Sequence, residues 1–101
     1  MCGRYTLRNS QAVKDKYLLN IDVSYNISPS HQVLTYTTQP TFMKWSYNPI
    51  WAKTPLNLIN ARSETLNVKP SFKMAKRCLI IADGWFEWFR TNNSKQPFFF
   101  I

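Results

Sequence analysis

The chain has 101 residues, 45% apolar and 16% aromatic, with 13 Lys and Arg against 5 Asp and Glu. That length encloses one small domain at most, and a formal charge of +8 draws in polyanions without specifying a fold. Two cysteines in unrelated contexts and a single histidine leave no disulfide framework and no metal-ligand cluster.

No apolar run approaches the ~18 residues of a membrane span, and the opening "MCGRYTLRNSQ" lacks the apolar stretch of a signal peptide. A reduced, soluble, intracellular protein is the expectation. Seven Phe, five Tyr and four Trp are more than so small a core can hold, so some are expected half-exposed.

In chain order, Asn9 or Ser10 caps a short helix reaching about Asn20, with Val13, Tyr17 and Leu18 as its apolar stripe. "YNISPS" reads as a loop around Pro29. "QVLTYTT" alternates in the manner of a strand, and "TFMKWSY" reads as another. "NPIWAKTPLNLI" is irregular and then extended. "PSFKMAKR" predicts one or two helical turns, with Pro70 tolerated at the start. "CLIIADGWFEWF" combines a buried apolar run, a break at Asp83–Gly84 and an alternating strand. A polar turn, "RTNNSKQ", leads into the strand "PFFFI", an apolar edge that needs neighbours. Short strands outnumber helices, so the expected class is α+β, mostly β.

Three stretches carry chemistry. In "MCGRY", removal of Met1 would leave Cys2 with an α-amine and a thiol on adjacent carbons. Such a pair condenses with an aldehyde to an imine and then closes a thiazolidine ring. A free α-amine (pKa about 7.7–8.0) and a thiol (about 8.5) both keep reactive fractions at neutral pH. Arg4 nearby favours the neutral amine and the thiolate together. An inert cysteine at a frayed end is the commoner outcome for this motif taken alone.

In "LINARSET", an extended backbone sends Asn60, Arg62 and Glu64 to one side. Asn offers a donor and an acceptor, and Arg a rigid fork suited to phosphate; an ordinary surface strand with an Arg62–Glu64 pair has the same pattern. In "ADGWFEWF", alternation puts Trp85, Glu87 and Phe89 on one face and Phe86, Trp88 and Arg90 on the other. A carboxylate bracketed by rings is desolvated and favours its protonated form, as a general acid requires. A solvated edge position beside Lys or Arg is the alternative. Trp45, Trp51 and Tyr47 suit base stacking or the core. His31 reads as a capping or surface histidine, and Cys78 as a buried apolar residue.

Taken together and in order, these stretches resemble the SOS-response-associated peptidase (SRAP) family, whose members protect abasic sites in DNA. "MCGRY", "YNISPS", "WSYNPIW", "NARSET", "KRCLIIADGWFEW" and "KQPFFF" match along essentially the whole chain. Ser46 replaces the family's glycine in the W-G segment, and Ser28 its alanine before Pro29. Family domains are longer, and their second half supplies a late catalytic histidine for which His31 lies in the wrong motif. The expectation is therefore an SRAP-like, barrel-like β-rich fold of which residues 1–101 form the N-terminal portion of a single domain.

The resemblance implies a lyase- or peptidase-class site without cofactor, metal or membrane. Cys2, freed of Met1, is the implied nucleophile, Asn60 orients the terminus, and Glu87 moves protons. Arg4 and Arg62 grip phosphates, while Trp51 and Pro29 lie where DNA unstacks. Single-stranded DNA with abasic sites is the implied partner, in the cytoplasm and nucleoid, or in the nucleus of a eukaryote; oligomeric state is left open. Two further readings stand beside this one: a thiol autopeptidase, and a non-covalent single-strand-binding module in which charge and tryptophans do the work.

Overall fold

Tyr5, Thr6 and Leu7 form a strand of only three residues, β1 (Tyr5–Leu7), yet all three are buried. Three residues are too few to display a period, so this burial comes from position rather than pattern. In the computed structural model, which describes residues 2–101, β1 lies inside a four-stranded antiparallel sheet of order β2-β1-β6-β7. Its partners are β2 (Ser24–Ile27) and β6 (Gly84–Arg90), with Tyr5 opposite Ile27 and Trp85, and Thr6 opposite Gly84. The outer strand β7 (Lys95–Phe100) pairs along the whole of β6, from Trp85–Phe100 to Arg90–Lys95. Pro97, which has no N–H to offer a ladder, is tolerated because this strand is an edge.

A second sheet has the order β4-β3-β5, formed by β3 (Gln32–Tyr36), β4 (Pro40–Lys44) and β5 (Leu79–Ile80). The class is therefore α+β and mostly β, as the alternating patterns predict. The two sheets remain separate antiparallel sheets and do not close into the barrel-like form expected.

Between the sheets lies a small core of Leu7, Val13 and Leu34, against which Tyr17, Leu19, Ile21, Ile27 and Ile81 pack. Val13 comes from α1 (Ser10–Tyr17), where the Asn9 side chain accepts a hydrogen bond from Ala12 N at 3.0 Å. The predicted cap is thus present, but the helix stops sooner than Asn20. Leu18 turns left-handed at φ 58° and closes on Lys14 O, so it leaves the apolar stripe and is 86% exposed.

Four other expectations change. Tyr25–Ile27 belong to β2, so the loop around Pro29 is confined to the residues that follow. "PSFKMAKR" forms successive hydrogen-bonded turns in place of a regular helix, with Lys73 N donating to Lys69 O and Ala75 N to Phe72 O, both at 3.0 Å. Residues 60–64 are not a strand: Thr65 N donates to Arg62 O and Lys69 N to Thr65 O, so the chain turns and the one-sided alternation is lost. Finally, the run from Cys78 to Ile80 is exposed rather than buried, because β5 is two residues long and lies at a sheet edge.

Burial is uneven across the molecule. A folded monomer of 11.9 kDa is expected to expose about 6,000 Å², whereas this chain exposes 8041 Å². Its radius of gyration is 15.4 Å in a plate of 42 × 39 × 24 Å, against about 13 Å for a chain of this length. Much of the excess is apolar and lies on β5, β6 and β7, including Leu79, Phe89, Phe98, Phe99 and Phe100.

Candidate functional site

Cys2 and Gly3 lead directly into β1, so the N-terminal segment inherits the rigidity of the most buried strand. Three contacts hold it. Asn60 Nδ2 donates to the Cys2 carbonyl at 3.0 Å, tying together residues 58 positions apart in sequence. The Cys2 thiol donates to Arg4 O at 3.2 Å, and the same oxygen accepts from Phe86 N at 3.1 Å. Arg4 folds back so that Nη1 donates to Gly3 O at 2.9 Å while Nε donates to Asn26 Oδ1 at 3.1 Å. A half-buried thiol in this setting is oriented but still reachable. Met1, whose removal the chemistry requires, lies outside the described residues.

A clamp at the other end of β1 fixes its register. The Asp83 carboxylate accepts from Thr6 Oγ1 (2.7 Å), Arg8 N (2.5 Å), Asn9 N (2.9 Å) and Arg8 Nε (3.2 Å). Burial by itself raises a carboxyl, but these bonds outweigh it and hold Asp83 below the ordinary carboxylate range. Gly84 follows because nothing larger fits: a Cβ there would stand 2.5 Å from the Phe99 ring and 2.9 Å from Thr6 Oγ1. With β1 and β6 locked together, the N-terminal segment faces Phe86–Trp88 at a set height.

That juxtaposition opens a cleft of about 690 Å³, whose lining includes Gly3, Arg4, Asn26, Glu87, Arg90 and Lys95. Lys95 Nζ sits 5.3 Å from the Trp88 ring centroid, a cation–π arrangement that keeps its charge at the mouth. Three cations therefore share the cleft with one half-buried carboxylate, Glu87. A nucleophile, a carboxylate and a positive wall suit reaction with an electrophile carried on an anionic chain.

Of the residues picked from sequence, Cys2, Arg4 and Asn60 are directly bonded, and Glu87 lines the same cleft as Arg4. Arg62 and Glu64 are exposed on the turn beyond Asn60. Trp51 is exposed, with its indole N–H donating to Pro70 O at 3.2 Å, away from the bonds around Cys2. Pro29 lies in a loop whose next residue, Ser30, donates its N–H to Trp45 O. His31 Nδ1 accepts from Ser28 N at 3.3 Å, the capping use expected of it. Sequence reasoning missed Asn26, Arg90, Lys95 and the Asp83 clamp. Only Arg90 left a trace, since its alternation places it with Phe86 and Trp88.

Among the described residues no group of three or more His, Cys, Asp or Glu is placed to hold a metal ion. None of the helices described is long and apolar enough to cross a membrane.

The family model described as "SOS response associated peptidase (SRAP)" matches residues 1–101. Abasic site processing protein YoqW of Bacillus subtilis (strain 168) is 38% identical over 109 residues, covering 89% of this chain and 49% of that protein. Abasic site processing protein YedK of Escherichia coli (strain K12) is 36% identical over 122 residues, covering 98% of this chain and 53% of its own length. Abasic site processing protein HMCES of Mus musculus is 38% identical over 69 residues, covering 56% of this chain and 20% of that protein. No solved structure matches the chain significantly. The chain spans about half the length of the bacterial relatives. With the match running from end to end, the chain belongs to the SRAP family.

Proposed function

We propose that this chain captures abasic sites in single-stranded DNA by forming a thiazolidine at Cys2 after loss of Met1. The observation that carries the reading is the Asn60–Cys2 hydrogen bond, which holds the aminothiol-bearing residue beside a cleft containing a carboxylate and cations. The names of the relatives supply the substrate: each is an abasic site processing protein.

The chemistry balances with one water released. The Cys2 amine adds to the aldehyde of the ring-opened sugar, and the resulting carbinolamine loses hydroxide as water to give an imine. The thiol then adds across the C=N bond, sulfur to carbon and its proton to nitrogen. Glu87 takes the proton from the attacking amine and returns it to the departing hydroxyl, the acid–base work that a positioned carboxylate performs. Arg4, Arg90 and Lys95 hold the flanking phosphates, and Arg62 extends the positive track beyond Asn60. Trp51 and Pro29 border the path of the unstacked strand. Such contacts weaken as salt rises.

The apolar face of β6 and β7 is, in this reading, covered by the second half of an SRAP domain, on this or a separate polypeptide. That half carries the histidine that assists reversal. The protein then acts where the DNA is, in the cytoplasm and nucleoid or in a nucleus.

Intact mass before and after incubation with an abasic single-stranded oligonucleotide tests the proposal. The expected result is loss of Met1 and a denaturation-resistant adduct smaller by one water than the sum of its parts. Cys2→Ala is expected to abolish it. An adduct of equal yield from Cys2→Ala overturns the mechanism. Unchanged, salt-dependent affinity with no adduct from either protein identifies a non-covalent binding module instead.

A further inference from the structure

Tyr5 buries a hydroxyl that has no hydrogen-bond partner among the described residues, in a side chain only 5% exposed. A buried donor left unpaired is costly, and phenylalanine would fill the same space without that cost. The ring lies 5.5 Å from Trp45, whose indole N–H donates to Ile59 O at 3.0 Å; the next residue, Asn60, holds the Cys2 carbonyl. Tyr5 thus packs at one end of a path whose other end is the Asn60–Cys2 hydrogen bond. Burial first, and the charge of the Cys2 thiolate second, push the Tyr5 phenol up to about 12, so it stays a donor wherever the thiol ionises.

The thiol itself donates to Arg4 O, an oxygen that Phe86 N already occupies. Once the thiol proton has gone, that carbonyl repels the sulfur. Rotation to another staggered well carries Sγ about 3 Å, and a thiolate seeks a donor. We propose that Tyr5 is a further member of the Cys2 site, its hydroxyl donating a hydrogen bond to the Cys2 thiolate. The thiol proton goes to water, and the phenol keeps its own. The inference rests on Cys2 being the reactive group of the function proposed above.

The charged and titratable groups of the cleft beside the N-terminal segment are Arg4, Tyr25 from β2, Glu87 and Arg90 from β6, and Lys95 from β7. Lys76 and Cys78 share the cleft beside Trp45 and Asn60. Tyr5→Phe alters none of them, so they form a constant background.

The test is the pH profile of Cys2 alkylation by iodoacetamide, read on the Cys2 peptide by mass spectrometry so that Cys78 does not contribute. Tyr5→Phe is expected to raise the midpoint by about one pH unit, a roughly tenfold slower reaction below it. Superimposable profiles, with or without a change in thermal stability, overturn the proposal. If Tyr5→Phe does not fold, 3-fluorotyrosine at position 5, a stronger donor of nearly the same shape, is expected to lower the midpoint; an unmoved midpoint again overturns it. No DNA enters the measurement. A shifted profile without any abasic adduct therefore supports Tyr5 while removing the functional reading.

Discussion

Strands β1 and β7 lie in the same sheet and are separated only by β6, yet they differ in almost everything else. The shorter, β1, has Tyr5 at 5%, Thr6 at 1% and Leu7 at 7% exposure, with neighbours on both edges and the Asp83 clamp at its end. The longer, β7, ends in three consecutive phenylalanines, yet every one of its six residues is exposed. Apolar content alone therefore does not decide what is buried; a covering layer does. The proposed reactive terminus is attached to the strand with cover. The strand without cover presents an apolar patch of the kind that marks an interaction surface.

This contrast predicts unequal responses to similar truncations. Leu7→Ala removes a core side chain from between the sheets and is expected to cost about 3 kcal/mol in denaturant unfolding. A loss below about 1 kcal/mol would erase the distinction between the two strands.

The Tyr5 phenol sharpens the contrast through pH. Its value near 12 in the folded chain stands above the ordinary 10.0. Its stabilisation is therefore complete below pH about 10 and lost as pH rises toward about 12, a decline of about 2–3 kcal/mol. Stability measured across that window is expected to fall in the wild type and much less in Tyr5→Phe.

Asp83→Ala strips the acceptor from two backbone N–H groups and two side chains, a loss of about 2 kcal/mol by urea titration. The carboxyl is held below its ordinary value, so its contribution is present above pH about 4 and disappears as pH falls through the folded value. A melting temperature that drops on acidification in the wild type, but stays level in Asp83→Ala, is the expected pattern. The variant is also expected to loosen the N-terminal segment and slow adduct formation.

The smallest effect falls on β7. Phe98→Ala is expected to change stability by no more than about 0.5 kcal/mol, while reducing self-association in sedimentation. A cost comparable with that of Leu7→Ala would mean that β7 is covered after all.

What could be read from the residues alone was whatever depends on neighbours a few positions away. The Asn9 cap, the alternation of Gln32–Tyr36 and Gly84–Arg90, and the polar turn before β7 all rest on local geometry. The reactive potential of Cys2 is likewise a property of one residue, and the order of motifs carried the family resemblance. Folding alone decided the rest. No local pattern joins Asn60 to Cys2, or Asp83 to Thr6, Arg8 and Asn9, across more than fifty positions. The burial of β1 had no pattern to announce it and the exposure of Leu79–Ile80 inverts what that run suggests, because burial belongs to a place in the layers rather than to a residue. Arg62 and Glu64 separated from Asn60 for a related reason: backbone hydrogen bonds at Thr65 and Lys69 turned the chain, and a period of two has meaning only while it stays extended.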